Sequence, residues 1–285
     1  MRFLRLGPSG AERPAVMTSS GDQTFDISLI TKEIDGAFLA GEGVQHVRRA
    51  LAQGALPPVD SALARRGPPI ARPGKVIVVG LNYRAHEVDA AVPPPPEPIL
   101  FMKGSDTISG PNDTVLIPRG GTKMDYEVEL AVVIGKRARY LSDPQAAAAV
   151  IAGYTIANDL SERAFQLDGN GGQWLKGKSC ETFNPLGPWL MTSDELPDPQ
   201  HLRLRCWVNG ELRQDSNTSY MHFGVHHLVW YASQFMALEP GDVIDTGTPA
   251  GVAHGLPGRP YLRAGDVIDL EVDRLGHQRQ RVAQA

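Results

Sequence analysis

The stretch DYEVELAVVIG, residues 125–135, constrains the fold more than any other part of the chain. In an extended conformation successive side chains point to opposite faces, so Asp125, Glu127 and Glu129 share one face and Tyr126, Val128 and Leu130 the other. The strand then continues as LAVVIG, so its carboxylates abut a buried segment rather than a solvated edge. Carboxylates two residues apart on a strand have Cα atoms about 6.5–7 Å apart, and two ionised groups at that spacing repel unless a cation lies between them. Asp159 closes a second strand-like segment in an Asn-Asp pair and offers a third carboxylate to join Glu127 and Glu129. Oxygen donors without cysteine or histidine suit Mg2+, Mn2+ or Ca2+ better than Zn2+. The alternative, an amphipathic strand whose acidic face meets water, is left open by these residues alone.

Glycine and proline punctuate the rest of the sequence. Their 30 and 23 copies in 285 residues exceed the combined average of roughly 12%, which predicts many turns, short strands and long loops in a mixed α/β, β-rich fold. RFLRL at 2–6 and RPAVM at 13–17 flank GPSG and read as a hairpin. Residues 53–75 are rich in Pro, Gly and Arg and read as a connector, which divides the chain into a small N-terminal domain with connector, 1–71, and a main domain, 72–285. KVIVVGLNY at 75–83 is a buried strand that delivers Asn82, Tyr83 and His86 to its C-terminal end. AVPPPPEP at 91–98 must be extended, as a stiff loop rather than a ligand for a proline-binding domain. Asp143 or Ser142 as a cap, Pro144 and Gly153 bracket a short helix over about 144–151. A strand follows through Tyr154–Ala157, Asn209-Gly210 marks a hairpin within 202–214, and Val225, Leu228, Val229, Ala232, Phe235 and Met236 form a helical stripe. GDVID occurs at 241–245 and again at 265–269, and two turns feeding two strands explain it without a catalytic role.

The net charge of −4 is spread along the chain, with no basic stripe for nucleic acid and no polybasic anchor for anionic lipid. A small-molecule substrate is therefore expected. Two cysteines are too few for a disulfide framework, which fits a reducing cytoplasm. The N-terminus reaches Gly-Pro before any apolar run of signal-peptide length, and no stretch approaches the roughly 18 apolar residues of a membrane span.

Several further residues could carry chemistry. His86 precedes Asp89 by three positions, a spacing at which a carboxylate reaches and orients an imidazole in a helical segment, although Glu87 competes for that role. Arg163 and Gln166 share one side of a short helix if Ser161 caps it, where Arg163 suits an anionic substrate and Gln166 a hydrogen bond; a solvated surface turn explains them equally well. Lys178, near Lys176 in a Gly-rich stretch, could stabilise developing negative charge. Cys180 could act as a thiol nucleophile with His86 as base, against the more common fate of a small buried cysteine. His222, His226 and His227 lack the intervening Glu of a zinc-protease helix and are read as structural.

In order, the motifs VGLNYRAH, FMK, DYEVELAVVIG, GYTIANDLSERAFQ, KGKSCETFNPLGPW, VNGELRQ and LEPGDVIDTGTPAGV closely resemble the fumarylacetoacetate hydrolase family over about three quarters of the chain, from Lys75 to the end. The resemblance implies a β-roll or distorted β-sandwich, often preceded by a smaller N-terminal β domain, with a divalent metal, usually Mg2+, and typically a homodimer. It places the metal ligands on Glu127, Glu129 and Asp159. It places catalytic roles on His86, Asp89, Lys178 and Gln166, with the anionic substrate bound by Arg163, Thr248, Lys103 and Tyr83. The family's hydrolytic members tend to carry Glu where this chain has Asp89. The implied reaction is C–C bond hydrolysis in a 1,3-diketone or acylpyruvate, including 2,4-diketo-3-deoxy sugar acids, by way of an enolate held on Mg2+ or Mn2+. Isomerisation, decarboxylation or hydration of 2-oxo acids on the same scaffold is the alternative, and a non-catalytic metal-binding protein is the reading from a different class.

Overall fold

A computed structural model describes residues 1–62, 64–84, 95–168 and 171–285. The acidic strand is interrupted where its charges begin. Met124–Asp125 pairs with Ser161–Glu162 in a two-stranded ribbon, while Val128–Ile134 enters the centre of a long sheet, and Tyr126 and Glu127 fill the gap. Side chains satisfy the backbone donors that the break would orphan. Tyr126 N–H donates to Asp125 Oδ1 (2.9 Å), Glu127 N–H to Asn158 Oδ1 (3.2 Å) and Val128 N–H to Gln214 Oε1 (3.0 Å).

The long sheet runs in the order Thr24–Asp26, Arg13–Met17, Arg2–Leu6, Asn184–Thr192, Ile151–Asn158, Val128–Ile134, Val243–Asp245, Val76–Gly80, Ile99–Lys103. The N-terminal hairpin expected at 2–6 and 13–17 thus joins this sheet edge to edge, with Phe3 opposite Leu190. A second sheet, in the order Glu211–Asn217, Arg203–Val208, Val267–Val272, Gly276–Gln284, Val115–Ile117, packs on one face of the first. Val128, Leu130, Val132 and Ile134 point into that inter-sheet core beside Leu204, Cys206, Ile268 and Leu270. The other parity, Ala131 and Val133, packs under Phe38, Leu39 and Val47 of two helices, Gly36–Ala40 and Gly43–Ala52. Glu127 and Glu129 share the parity of Ala131 and Val133. One strand face is therefore acidic at its start and apolar where the helices cover it.

The register across the sheet assembles the rest of that acidic face. Val128 lies opposite Asn158 and Glu129 opposite Ala157, whose small side chain leaves room for the carboxylate. Asp159 N–H donates to Glu127 O (3.0 Å), which brings the two acidic residues side by side from different strands. On the other flank Ala131 lies opposite Asp245, which places that aspartate on the same face.

Local expectations translate with small changes. The segment at 144–151 is a 3-10 helix, Pro144–Ala149, capped by Asp143, and the helix Val225–Phe235 buries Val225, Leu228, Val229 and Ala232. The hairpin turns on Asn209 and Gly210, both with positive φ (54° and 81°), as a two-residue turn between right-twisted strands requires. The helix Arg163–Leu167 is capped by Glu162, which accepts from Ala164 N–H, rather than by Ser161, which is buried in the two-stranded ribbon. No helix among the described residues is long and apolar enough to cross a membrane.

Candidate metal centre and adjoining pocket

Glu127, Glu129 and Asp159 each present a carboxylate oxygen, and these atoms lie within 4.8 Å of one another, all buried. Among the described residues this is the one such grouping of three potential metal ligands. Burying ionised groups costs several kcal/mol per ion unless each is paired, so the partners decide what state the cluster can hold. Lys178 Nζ bridges Glu127 Oε2 (2.9 Å) and Asp159 Oδ2, and Lys103 Nζ donates to Asp159 Oδ1 (2.5 Å) and to the Phe183 carbonyl (2.5 Å). Arg163 donates through its guanidinium to Glu127 Oε1 (2.6 Å), Asp125 Oδ2 (2.8 Å) and Gln166 Oε1 (2.9 Å).

Two carboxylates stand outside this pairing. Glu129 Oε2 accepts from Gly247 N–H (2.6 Å), but its buried Oε1 has no hydrogen-bond donor among the described residues. Burial first, then repulsion from Asp159, Asp245 and Glu127, pushes its carboxyl well above the usual range, with Lys178 opposing. Asp245 is completely buried, and among the described residues neither oxygen has a hydrogen-bond partner of good geometry, Asn184 being a polar neighbour; burial and then Asp159 push it up to about 7, against the pull of Lys103 and Asn184. Burial works to depress Lys178, but Asp159 and Glu127 outweigh it and hold its ammonium above the usual value. For Lys103 burial wins, and its affinity for a proton falls despite Asp159.

The linked set comprises the carboxylates of Asp125, Glu127, Glu129, Asp159 and Asp245 and the cations Lys103, Arg163 and Lys178. Fully ionised, it carries two negative charges in excess, the amount one dication neutralises. The orphaned Glu129 Oε1, the all-oxygen donor set and this charge imbalance fit Mg2+ or Mn2+.

A cavity of about 230 Å³ opens on this cluster. Glu127, Asp159, Lys178, Arg163 and Gln166 line it together with an apolar wall that includes Phe101 and Trp174. Gly177 makes the wall possible, because a Cβ there would lie 2.4 Å from Gln166 Cβ, so the helices bearing Gln166 and Lys178 can touch only at glycine. Gly247, at φ +96°, serves the metal side: a Cβ would meet Asn82 Cβ at 2.8 Å, and its N–H holds Glu129.

The structure thus brings together Glu127, Glu129, Asp159, Lys178, Arg163, Gln166, Thr248 and Lys103. Thr248 lines the cavity, but its hydroxyl donates to the Val128 carbonyl (2.9 Å) and accepts from Gln214 (2.8 Å), so an incoming carboxylate would compete for its one proton. Tyr83 is fully buried with no partner for its hydroxyl among the described residues, and burial and the charge of Glu129 make that hydroxyl harder to ionise. His86 and Asp89 lie outside the described residues. Cys180 is half-buried and burial pushes its thiol up to about 11, the opposite of an activated nucleophile. His227 stacks between Phe223 and Tyr231 on its helix, a packing role. Sequence reasoning passed over Asp245 and His254, whose signals were a repeat of turn-and-strand chemistry and a histidine in an irregular tail.

The pattern of the fumarylacetoacetate (FAA) hydrolase C-terminal domain matches residues 75–283. The chain belongs to the fumarylacetoacetate hydrolase family. A Burkholderia orbicola (strain MC0-3) relative, provisionally named a hydrolase, is 44% identical over 286 residues, covering all of both chains. The solved maleylpyruvate hydrolase of Sphingobium sp. SYK-6, in complex with manganese(II) and pyruvate, shares 30% identity over the full length of both chains with a TM-score of 0.82. A Mycobacterium abscessus structure described as a probable 2-hydroxyhepta-2,4-diene-1,7-dioate isomerase shares 34% identity, with a TM-score of 0.83 over 100% of this chain and 99% of that one. Hydrolases and isomerases of this family therefore share the architecture, and family and relatives together support a hydrolase.

Proposed function

We propose that this protein is a divalent-metal-dependent hydrolase that cleaves a C–C bond in an acylpyruvate-type 2-oxo acid. The observation that carries the reading is the convergence of Glu127, Glu129 and Asp159 on one point with Lys178 bonded to two of them on a pocket wall. These three carboxylates would hold Mg2+ or Mn2+, which when bound supplies Lewis-acid charge stabilisation. Lys178 is kept protonated by Asp159 and Glu127 and sets its positive charge beside oxygen on which negative charge develops, where that oxygen would compete with the Asp159 carbonyl for one N–H. Arg163, fixed by Asp125 and Glu127, presents a permanent cation to the substrate's anionic end. The Gln166 carbonyl oxygen is engaged by Arg163, which leaves its amide NH2 to donate to the carbonyl under attack. Phe101 and Trp174 exclude bulk water from the reacting carbons. The motif that resembles the family's assigns to His86 the removal of a proton from the attacking water, with Asp89 as its partner in sequence.

The test is a screen of acylpyruvates and sugar-acid diketones with Mg2+ or Mn2+, read by mass spectrometry for released pyruvate. The reading predicts pyruvate from at least one compound, and His86→Ala abolishes it. Pyruvate release that survives His86→Ala would overturn the assigned base. The isomerase neighbour motivates a second reading, in which the substrate loses a proton from one position, takes one from solvent at another and keeps its composition. Turnover in 18O-labelled water separates the two, since only hydrolysis places the label in the carboxylic acid product.

A further inference from the structure

The three ligand carboxylates are each steadied by a different donor. Glu127 takes Arg163 on Oε1, and Glu129 takes the Gly247 N–H on Oε2. For Asp159 that donor is Lys103, whose Nζ lies 2.5 Å from Oδ1. Lys178 contacts the other oxygen, Oδ2, but divides itself between Asp159 and Glu127 and faces the cavity. Lys103 does not line the cavity, and its side chain is fully buried. Its remaining bonds go to the carbonyls of Phe183 (2.5 Å) and, more weakly, Leu160 (3.4 Å), so three acceptors account for the three N–H bonds of an ammonium. Lys103 has no N–H left for a substrate.

These acceptors belong to separate elements. Lys103 ends the strand Ile99–Lys103, Asp159 and Leu160 follow the strand Ile151–Asn158, and Phe183 precedes the strand Asn184–Thr192. One side chain therefore pins the ends of three strands at the carboxylate cluster. The next residue extends the clamp, because Gly104 N–H donates to Ser179 Oγ (3.1 Å), directly after Lys178. A second acidic neighbour of Lys103 is Asp245. Along Val76–Gly80, Val76 lies opposite Lys103 and Val78 opposite Asp245, so both side chains leave the same face of the sheet.

We propose that Lys103 is a positioning residue for the metal centre: it keeps one Asp159 oxygen engaged so that the carboxylate offers a dication the other. The inference rests on the metal reading of the three carboxylates and is independent of which bond the enzyme cleaves. It runs against simple electrostatics. Removing a cation from an acidic cluster strengthens the pull on Mn2+, whereas losing the donor that orients a ligand typically weakens metal binding about 10–100-fold.

The test titrates the chelator-treated full chain with Mn2+ and follows the electron paramagnetic resonance of the free ion. Lys103→Met raises the dissociation constant about 10–100-fold. Lys103→Met together with Asp245→Asn removes one charge of each sign, which keeps the net charge and spares the fold an unpaired carboxylate, and this double variant shows the same rise. A constant unchanged or lowered in the double variant overturns the inference, since a role in the fold alone would lower Tm and leave Mn2+ binding as it was. A second measurement needs no variant. In wild-type crystals soaked with Mn2+, Lys103 Nζ stays within hydrogen-bond distance of one Asp159 oxygen while the other meets the ion. An ion held by both Asp159 oxygens, with Lys103 displaced, overturns the inference as well. Wild type that takes up no Mn2+ removes the metal reading itself, whereas equally tight binding by wild type and the double variant removes the role of Lys103 alone.

Discussion

The pentapeptide GDVID occurs twice, and its two copies build the same local element in unlike surroundings. Both begin on a glycine with positive φ, 89° at Gly241 and 98° at Gly265, and both run into a strand, Val243–Asp245 and Val267–Val272. The closing aspartates then part. Asp245 is wholly buried among other carboxylates, with no hydrogen bond of good geometry to either oxygen among the described residues, whereas Asp269 lies on a partly exposed face 3.0 Å from Arg279 and 3.1 Å from His277. Five identical residues set a turn and a strand; the strands on either side set the electrostatics. For Asp245 those neighbours are Val128–Ile134 and Val76–Gly80, and for Asp269 they are Arg203–Val208 and Gly276–Gln284.

If the proposed reaction holds, the largest difference expected between the two environments is catalytic. Lys178→Met removes the cation between Glu127 and Asp159, and kcat for acylpyruvate cleavage should fall roughly 10²–10³-fold, while Asp269→Asn stays within about twofold of wild type. Equal activity of the Lys178 variant and wild type would erase the distinction.

Stability against pH is the next contrast. The folded-state pKa of Asp245 is raised from 3.8 to about 7, so between these values the native protein holds a proton that the unfolded chain has lost. Stability therefore falls as pH rises through that window, and the penalty is complete above it. Asp245→Asn should leave chelator-treated protein unchanged below pH 4 and stabilise it above pH 7 by on the order of 2–4 kcal/mol, measured by urea unfolding. Added Mn2+ should shrink the gain, because a dication compensates the same charge. The reverse trend with pH would remove Asp245 from the cluster.

Metal dependence gives a third separation. With Mn2+ at about a hundredfold over its dissociation constant, wild-type protein should gain roughly 2.7 kcal/mol, visible as a rise in Tm. Glu129→Gln and Asp159→Asn should lose that rise, and Asp269→Asn should keep it. The smallest effect belongs to Asp269 itself: its exposed ion pairs predict a cost of about 0–1 kcal/mol for Asp269→Asn, reduced by salt.

The same contrast explains what could be read from the sequence. The strand Val128–Ile134, the Asn209-Gly210 hairpin and the helix Val225–Phe235 were legible because turn chemistry and apolar period are local. The convergence of Glu127, Glu129 and Asp159 was legible because spacing by two along one strand marks a face, and the Asn-Asp pair ends its neighbour. Asp245 was not, since its pentapeptide is identical to an exposed one. The helices Gly36–Ala40 and Gly43–Ala52 also escaped notice; the first is a single short turn of five residues, whereas in the second Val44, Val47 and Leu51 recur at helical spacing among Gln, Arg, Ala and Leu, a local signal that the reading of this region as β-rich passed over. Lys103 was expected to meet substrate, whereas its ammonium spans Asp159 and the Phe183 carbonyl.

Asp125 ties the turn at residues 253–254 to the guanidinium of Arg163, and through it to Glu127. A turn on the cavity wall and the guanidinium beside the carboxylate cluster thus share a single fastening. An engineer who transplants the 253–261 loop from a relative must import a compatible anchor at position 125 as well, or the graft will leave Asp125 with backbone donors missing and loosen its hold on Arg163.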